Sequence, residues 1–486
     1  MRPLNPEPQG GLSLTNFRKV CENGFGDLNN AYAHSMAWWE DRLYVGTTRA
    51  NLALIKSGMK YVKIDCWPIE CPYPVYTKEF EEQWARAEIW RYDPLTEFWE
   101  RVFQSPMVMS NVGEPMAREL GFRGMNVFQG TSDPRPVLYT STWSRSRGPG
   151  PLILRSEDGR DFVPVSEPGI VGLPITSLRL LVPFKDRLFI APSGAAKGMA
   201  NASGVPLIFE SKDPASGKWT VVNEMGFGDP TNLTIFEMLG FGDYLYAAAA
   251  NLKGFQLWRA KIEGEPPYQW SLVLDKGAGR GPLNQGAASM RVFKDALYIS
   301  TGIQNGGFDQ LNKIGPAGAE IIRIHPDSSW DLIVGFPREG RIPLSGILPG
   351  FNSVFGGYIW KMGIHNDWLY AGTYDWTIFL RYTNFTTKPV RIFRLLEEVG
   401  TENIIENQAG FDLWRTSDGE NWMPVTRNGF NNPYNYGIRN IVTTPHGVFI
   451  GTANPFGPKV ARKISEDWEW EYVDNPQGGL EIWQGT

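Results

Sequence analysis

One five-residue pattern recurs along the chain and limits what it can fold into. It reads LYVGT at 43–47, LYTST at 138–142, LFIAP at 188–192, LYAAA at 245–249, LYIST at 297–301, LYAGT at 369–373 and VFIGT at 448–452. Each copy follows a short polar turn: WEDR, PRPV, FKDR, FGDY, FKDA, HNDW or PHG. Before each turn stands a second apolar segment, with Met36, Met125, Leu181, Met238, Met290, Met362 or Ile441 at a fixed place. Downstream come a third segment, such as AEIWRYD (87–93) or FDLWRTSD (411–418), and a fourth carrying an aromatic, such as FWERV or NWMPV. Short apolar runs punctuated by Asp-Gly, Asn-Gly and His-Gly are signs of antiparallel hairpins. A unit repeated at this period cannot bury its faces alone and stacks on its neighbours. Four strands in each of seven units predict an all-β chain, a seven-bladed β-propeller of four-stranded antiparallel blades forming one domain over 1–486.

The last unit ends at LEIW (480–483) without a fourth strand. NFRKVCENGFGDLNN at 16–30 matches NWMPVTRNGFNNPYN near the other end. The N-terminal strand is therefore expected to join the C-terminal blade and close the ring, leaving no free edge. EWEYV near Trp470 competes for that place. Helical periodicity is best over 77–91, and the acidic run 79–82 reads as a solvated helical face.

Nineteen Trp and 53 Gly suit many turns and large rings on short strands. A net charge of −5 gives no global attraction to nucleic acid or an anionic membrane. No stretch approaches a transmembrane length. MRPLNPEPQGGLSL lacks an apolar leader core, so the sequence reads as cytoplasmic. Cys21, Cys66 and Cys71 imply no disulfide framework and are expected reduced. His34, His325, His365 and His446 are too scattered to suggest zinc, and His365 and His446 fall in turns expected to be solvated. No GxSxG elbow, P-loop, HExxH or dinucleotide fingerprint occurs. No cofactor and no metal site are predicted; a structural calcium ion is left open, but no ligand spacing indicates it.

The turns SEDGRDF (156–162), SKDPASGKW (211–219) and TSDGENW (416–422) resemble the Asp-box of BNR-type propellers. There, Ser/Thr and Asp side chains brace a hairpin turn over a packed ring, and the resemblance implies fold rather than chemistry. Sialidases share these boxes but have six blades and an early Arg-Ile-Pro. The Arg-Ile-Pro here, at 341–343, lies late, so that activity is not carried over. The blade size is also similar to that of the propeller part of the cyanobacterial cylindrocyclophane-forming enzymes, which alkylate aromatic rings with alkyl chlorides. Those enzymes have an additional calcium-binding domain that this sequence lacks, and no residue is transferred from them.

First strands of propeller blades line the central channel. Long links between second and third strands, at 48–86, 302–318, 374–409 and 453–479, are expected as a rampart at its mouth, where insertion tolerance is the alternative to function. Two residues before the Met position stand His34, Arg123, Arg179, Phe236, Ala288, Trp360 and Arg439. Clustered cations in a narrow channel repel and lose hydration. Glu237 and the equivalent Lys361, one residue further along, would make an internal ion network. A ligand carboxylate, phosphate or phenolate is the other way to balance the arginines. Arg49, Asn251, Asp375 and Asn454 occupy equivalent rim positions beyond the second strand. Asp375 and Tyr374 are the acid/base candidates with His34, and Trp143, Trp360, Trp376 and Tyr32 are candidate walls.

The expected function is a small-molecule biosynthetic enzyme, transferase- or lyase-like. It would bind an anionic or aromatic substrate at the channel mouth for cofactor-independent group transfer, alkylation or bond formation. A non-catalytic scaffold receiving a protein partner on the looped face is one alternative. A glycan-binding or glycoside-hydrolysing protein is another.

Overall fold

A computed structural model describes residues 10–58, 66–196, 199–309, 311–383, 393–465 and 469–486. Parts of the four long links fall outside these ranges. Strand is the dominant regular structure of the described residues, well ahead of helix. Asn30–Trp39, Arg42–Arg49, Glu88–Asp93 and Phe98–Gln104 pair antiparallel in succession. The same succession runs from Gly121–Phe128 to Val163–Pro164 and from Val182–Phe184 to Thr220–Val221. It recurs from Asn232–Phe241 to Trp270–Leu274, from Gly286–Phe293 to Trp330–Val334 and from Gly356–His365 to Met423–Thr426. In the final set Gly437–Thr444 pairs with Gly447–Ala453, which pairs with Ile482–Gly485. The next strand on that side is Phe17–Cys21, whereas Trp470–Asp474 forms a separate ribbon with Lys459–Lys463. First strands of successive sets pack on one another, and Asn30–Trp39 packs on both Gly121–Phe128 and Gly437–Thr444. The architecture is propeller-like.

The repeated motifs have a physical cause. Gly24-Phe25, Gly226-Phe227, Gly350-Phe351 and Gly429-Phe430 all take left-handed φ in the link before a first strand. Each turn lays its Phe flat on the Trp of the third strand. Ring centroids are 4.6 Å apart for Phe25–Trp90, 4.9 Å for Phe227–Trp258, 4.6 Å for Phe351–Trp414 and 4.3 Å for Phe430–Trp483. Such a pair is worth about 0.5–1.5 kcal/mol beyond its buried area. Two residues before each Trp, Glu88, Gln256, Asp412 or Glu481 accepts the indole N–H. The Thr that closes the five-residue pattern ties the second strand to the start of the third. Thr47, Thr373 and Thr452 accept the N–H of Glu88, Asp412 and Glu481. Outer hairpin turns are braced by side chains. Gly419 donates to Thr416 Oγ1 at 2.9 Å, while Glu420 and Asn421 donate to Asp418 Oδ1 at 2.9 and 2.7 Å. Ser156 and Asp158 repeat this pattern.

Several local expectations need correction. Helix occupies only 78–85 of the 77–91 window, because Glu88–Asp93 is a third strand. Glu81 is fully buried, accepting from Ala117 N–H at 3.0 Å and pairing with Arg145, so 79–82 is not a solvated face throughout. His365 is 7% exposed, and burial lowers its basicity. Helices Asn51–Gly58, Phe393–Val399 and Thr401–Gln408 stand in the long links. All three cysteines are free, and among the described residues no helix is long and apolar enough to cross a membrane.

Candidate functional site

The candidate site is built from backbone irregularities. In the first strands the register slips between Ala33 and Ser35, Phe122 and Gly124, Ile235 and Glu237, Ala287 and Ser289, Ile359 and Lys361, and Ile438 and Asn440. The residues left out of the ladder are His34, Arg123, Phe236, Ala288, Trp360 and Arg439. These are the residues that the Met register singles out. In the remaining set the strand itself breaks between Ser177–Leu178 and Val182–Phe184, and Arg179 lies in the break. A bulge bends its strand and re-aims one side chain out of the regular alternation. Repeated around a set of mutually packed strands, it delivers one residue per strand to a shared space.

That space is strongly cationic. Arg123 donates from Nη1 to Ser177 and Ser193 Oγ, both at 3.1 Å, and from Nη2 to Asn201 Oδ1 at 2.7 Å; its Nε finds no acceptor. Trp143 faces the same guanidinium at 5.9 Å. Arg179 donates from Nε to the Phe236 carbonyl at 3.0 Å and lies over the Phe236 ring at 3.9 Å. Arg439 is 8% exposed and stacks over Trp360 at 4.8 Å. Its guanidinium has no hydrogen bond or ion pair among the described residues, and its Nε is fully enclosed. Lys361 likewise has neither. Arg291, one residue past Met290, joins the cluster and donates to the Met290 carbonyl at 2.8 Å. Sequence reasoning missed it because it stands outside the bulge register; the repeat alignment itself contained the signal.

Glu237 is buried within the field of Arg179, Arg291, Lys361 and Arg439. It accepts the Met238 N–H at 3.3 Å and forms no ion pair among the described residues. One carboxylate therefore faces four cationic side chains, and Arg123 adds a fifth cation to the cluster. Burial lowers the Lys361 amine to about 7, with Arg291, Arg439 and Arg179 lowering it further against the pull of Glu237. Burial, then Arg179, brings Arg439 down to about 9. His34 bonds the Thr48 hydroxyl through Nδ1 and is kept neutral by burial and by Arg439, Arg123 and Arg179. Although they belong to the first strands, Arg123, Arg291, Trp360 and Lys361 keep partial exposure.

Beside the cations lies an aromatic basket. Around Trp360 stand Tyr374 at 5.3 Å, Tyr32 at 5.9 Å and Tyr436 at 6.1 Å, all edge-on, and Tyr358 stacked at 6.1 Å. The Tyr32 and Tyr436 hydroxyls bond each other. Burial raises Tyr32 to about 12 and Tyr374 and Tyr436 well above the usual phenol range, so all three are neutral donors. The long links roof the basket. Phe379 lies 6.0 Å from Tyr436 and 5.6 Å from Phe456. Leu52, Phe80, Ile378, Ile404 and Phe456 share one apolar cluster, and Gly306 N–H reaches the Tyr358 hydroxyl at 3.1 Å.

The other candidates separate from this centre. Tyr374 and Asp375 are consecutive in one strand, so their side chains diverge. Tyr374 enters the basket, while Asp375 accepts the Thr377 N–H at 2.9 Å and is raised well above the carboxylate range by burial, with Asp412 adding to the rise. Arg49 gives its donors to Trp84 O, Gln83 O, Asn30 and Asp27. Asn251 binds Thr231 and Asn232, and Asn454 binds Asn435 and Gln477 O. These three brace links and are engaged by the fold. Asp375 stands in register with Gly356, where Arg49 and Asn251 face Asn30 and Asn232. At Asp375 the facing position is Gly356 and offers no side-chain amide, and the Asp412 carboxylate adds to the rise of the Asp375 carboxyl.

Two surface cavities, of about 330 and 590 Å³, lie elsewhere, lined by residues including Asp133 and Lys212 or His365 and His446. Among the described residues no group of three or more His, Cys, Asp or Glu is placed to hold a metal ion.

No family model and no curated protein matches the sequence. Among solved structures, the chain is similar to a GH74 xyloglucanase from Xanthomonas campestris, with 12% identity, a TM-score of 0.47, and coverage of 95% of this chain and 56% of that one. A puromycin-hydrolysing peptidase of Mycobacterium tuberculosis shows 11% identity and a TM-score of 0.45 over 92% of this chain and 53% of that one. A Niastella koreensis GH74 enzyme shows 9% identity and a TM-score of 0.43 over 95% and 61%. The chain spans little more than half the length of each.

Proposed function

We propose that the chain is a seven-bladed propeller closed by its N-terminal strand, whose channel binds a small aromatic or anionic substrate for cofactor-independent group transfer, alkylation or bond formation. Closure is supported by the pairing of Phe17–Cys21 with Ile482–Gly485, and an Asp-box relation by the braced turns at 156–161 and 416–421. The alkylating version rests on blade size alone.

Arg439 carries the functional reading. A buried guanidinium without an anion costs several kcal/mol, even after relaxation and water penetration. A carboxylate or phenolate lying between Arg439 and Trp360 would offset that cost through paired charged hydrogen bonds and ring contact. The same cations would stabilise negative charge developing on a reacting substrate. Tyr374 and Tyr436 would donate to it as neutral phenols; Asp375, Arg49, Asn251 and Asn454 fall outside the proposed site.

The test is a ligand panel of aromatic carboxylates and phenols against wild type and Arg439→Ala, read by thermal shift and calorimetry. Binding should weaken at least tenfold in Arg439→Ala. Equal shifts in both proteins would overturn the site.

A further inference from the structure

The cluster contains a group that anion binding alone does not require. Lys361 follows the bulge residue Trp360 on the same strand and keeps partial exposure. It has no hydrogen bond and no ion pair among the described residues. The charged groups that act on it most strongly are Arg291, Arg439 and Arg179, opposed by Glu237. A lysine crowded by cations and removed from bulk water holds its nitrogen lone pair free, and such lysines are activated toward carbonyl carbon.

We propose that Lys361 is a nucleophile that forms an imine with a carbonyl compound bearing a carboxylate, the carboxylate being held by Arg439 and Arg179. This rests on the anion-site reading above and adds a substrate class to it. The amine lone pair forms the C–N bond, and the carbonyl oxygen leaves as water with both amine hydrogens. The step consumes no oxidant or reductant. The neutral hydroxyls of Tyr374 and Tyr436 stand in the adjoining basket to donate to the departing oxygen, and an aromatic body on the substrate would lie against Trp360. With an amine near 7, about half of Lys361 is neutral at pH 7, against fewer than roughly one in a thousand of an exposed lysine near 10.4.

The test incubates the full chain with 4-carboxybenzaldehyde at pH 7, reduces imines with cyanoborohydride and maps adducts by peptide mass. A dominant single adduct on Lys361 is expected, suppressed at least fivefold by excess benzoate, lost in Lys361→Met and lost in the charge-retaining Lys361→Arg. Near-ultraviolet circular dichroism checks that both variants are folded. Benzaldehyde, lacking the carboxylate, should label Lys361 at least tenfold more slowly. Adducts spread over surface lysines, with Lys361 unmodified while benzoate still raises the melting temperature, would overturn the nucleophile and leave the anion site standing. Benzoate that neither binds nor protects would overturn the anion site itself. Equal labelling by the two aldehydes would overturn the carboxylate requirement.

Discussion

Replacing Lys361 with methionine should make the protein more stable below neutral pH. The side chain keeps its length and loses its charge. In the folded chain the amine falls from 10.5 to about 7. At about 1.36 kcal/mol per unit this bounds the burial cost at roughly 5 kcal/mol. The partial exposure of Lys361 reduces it, so about 2–3 kcal/mol is expected, within the range seen when buried ionic groups are replaced by apolar ones. The sign follows from proton counts. Between about 7 and 10.5 the unfolded chain holds the Lys361 proton and the folded chain does not, so wild-type stability rises with pH there. Relative to the protonated lysine, that stabilisation is complete above 10.5 and lost as pH falls through 7. The advantage of Lys361→Met is therefore largest below pH 7 and shrinks through that window. Paired melts at pH 6, 8 and 9.5 measure it, with a rise on the order of 3 °C expected at pH 6 for a chain of this size. A variant less stable than wild type at pH 6, or a difference independent of pH, would refute the buried-cation reasoning.

Asp375→Asn restores the residue type found at the equivalent Asn251 and Asn454 and removes a buried carboxyl on which Asp412 acts. A carboxyl raised in the folded state contributes stability below its unfolded value near 3.8 and loses it as pH rises, so this variant should gain about 1–2 kcal/mol at pH 7 and nothing below pH 4, with benzoate binding unchanged; melts and calorimetry check both. Phe430→Ala removes the face-to-face contact with Trp483 and the contacts with Phe17 and Phe411, all at the proposed seam. It should cost about 3–5 kcal/mol and speed amide exchange selectively in Phe17–Cys21 and Ile482–Gly485.

The repeat was legible because it is written twice, once in apolar segments and once in the Gly-Phe turn that seats on Trp. The likeness of 16–30 to 421–435 has a physical counterpart, because Phe25 and Phe430 stack on their Trp partners in the same way. The bulge register was legible because the Met position sits at constant distance from each slip. Rim residues misled for the opposite reason. A polar residue recurring at Arg49, Asn251, Asp375 and Asn454 marks a link brace, and the accompanying Asn30, Asn232 and Asn435 were the available signal. Adjacency in sequence suggested that Asp375 and Tyr374 act together, but strand alternation sends them apart. The helices over the mouth are too short to leave a clear 3.6-residue period and draw their stability from the apolar cluster they share. Arg291 lies outside the register that gathers the other arginines.

The central claim is that Arg439 and Trp360 hold the acid group and ring of a small molecule. Soaking crystals with 4-bromobenzoate and locating bromine by anomalous scattering tests it most directly. The expected result is a carboxylate at about 2.7–2.9 Å from the Arg439 guanidinium, with the ring against Trp360. Bromine found only outside the channel, with Arg439 paired to Glu237, would contradict it.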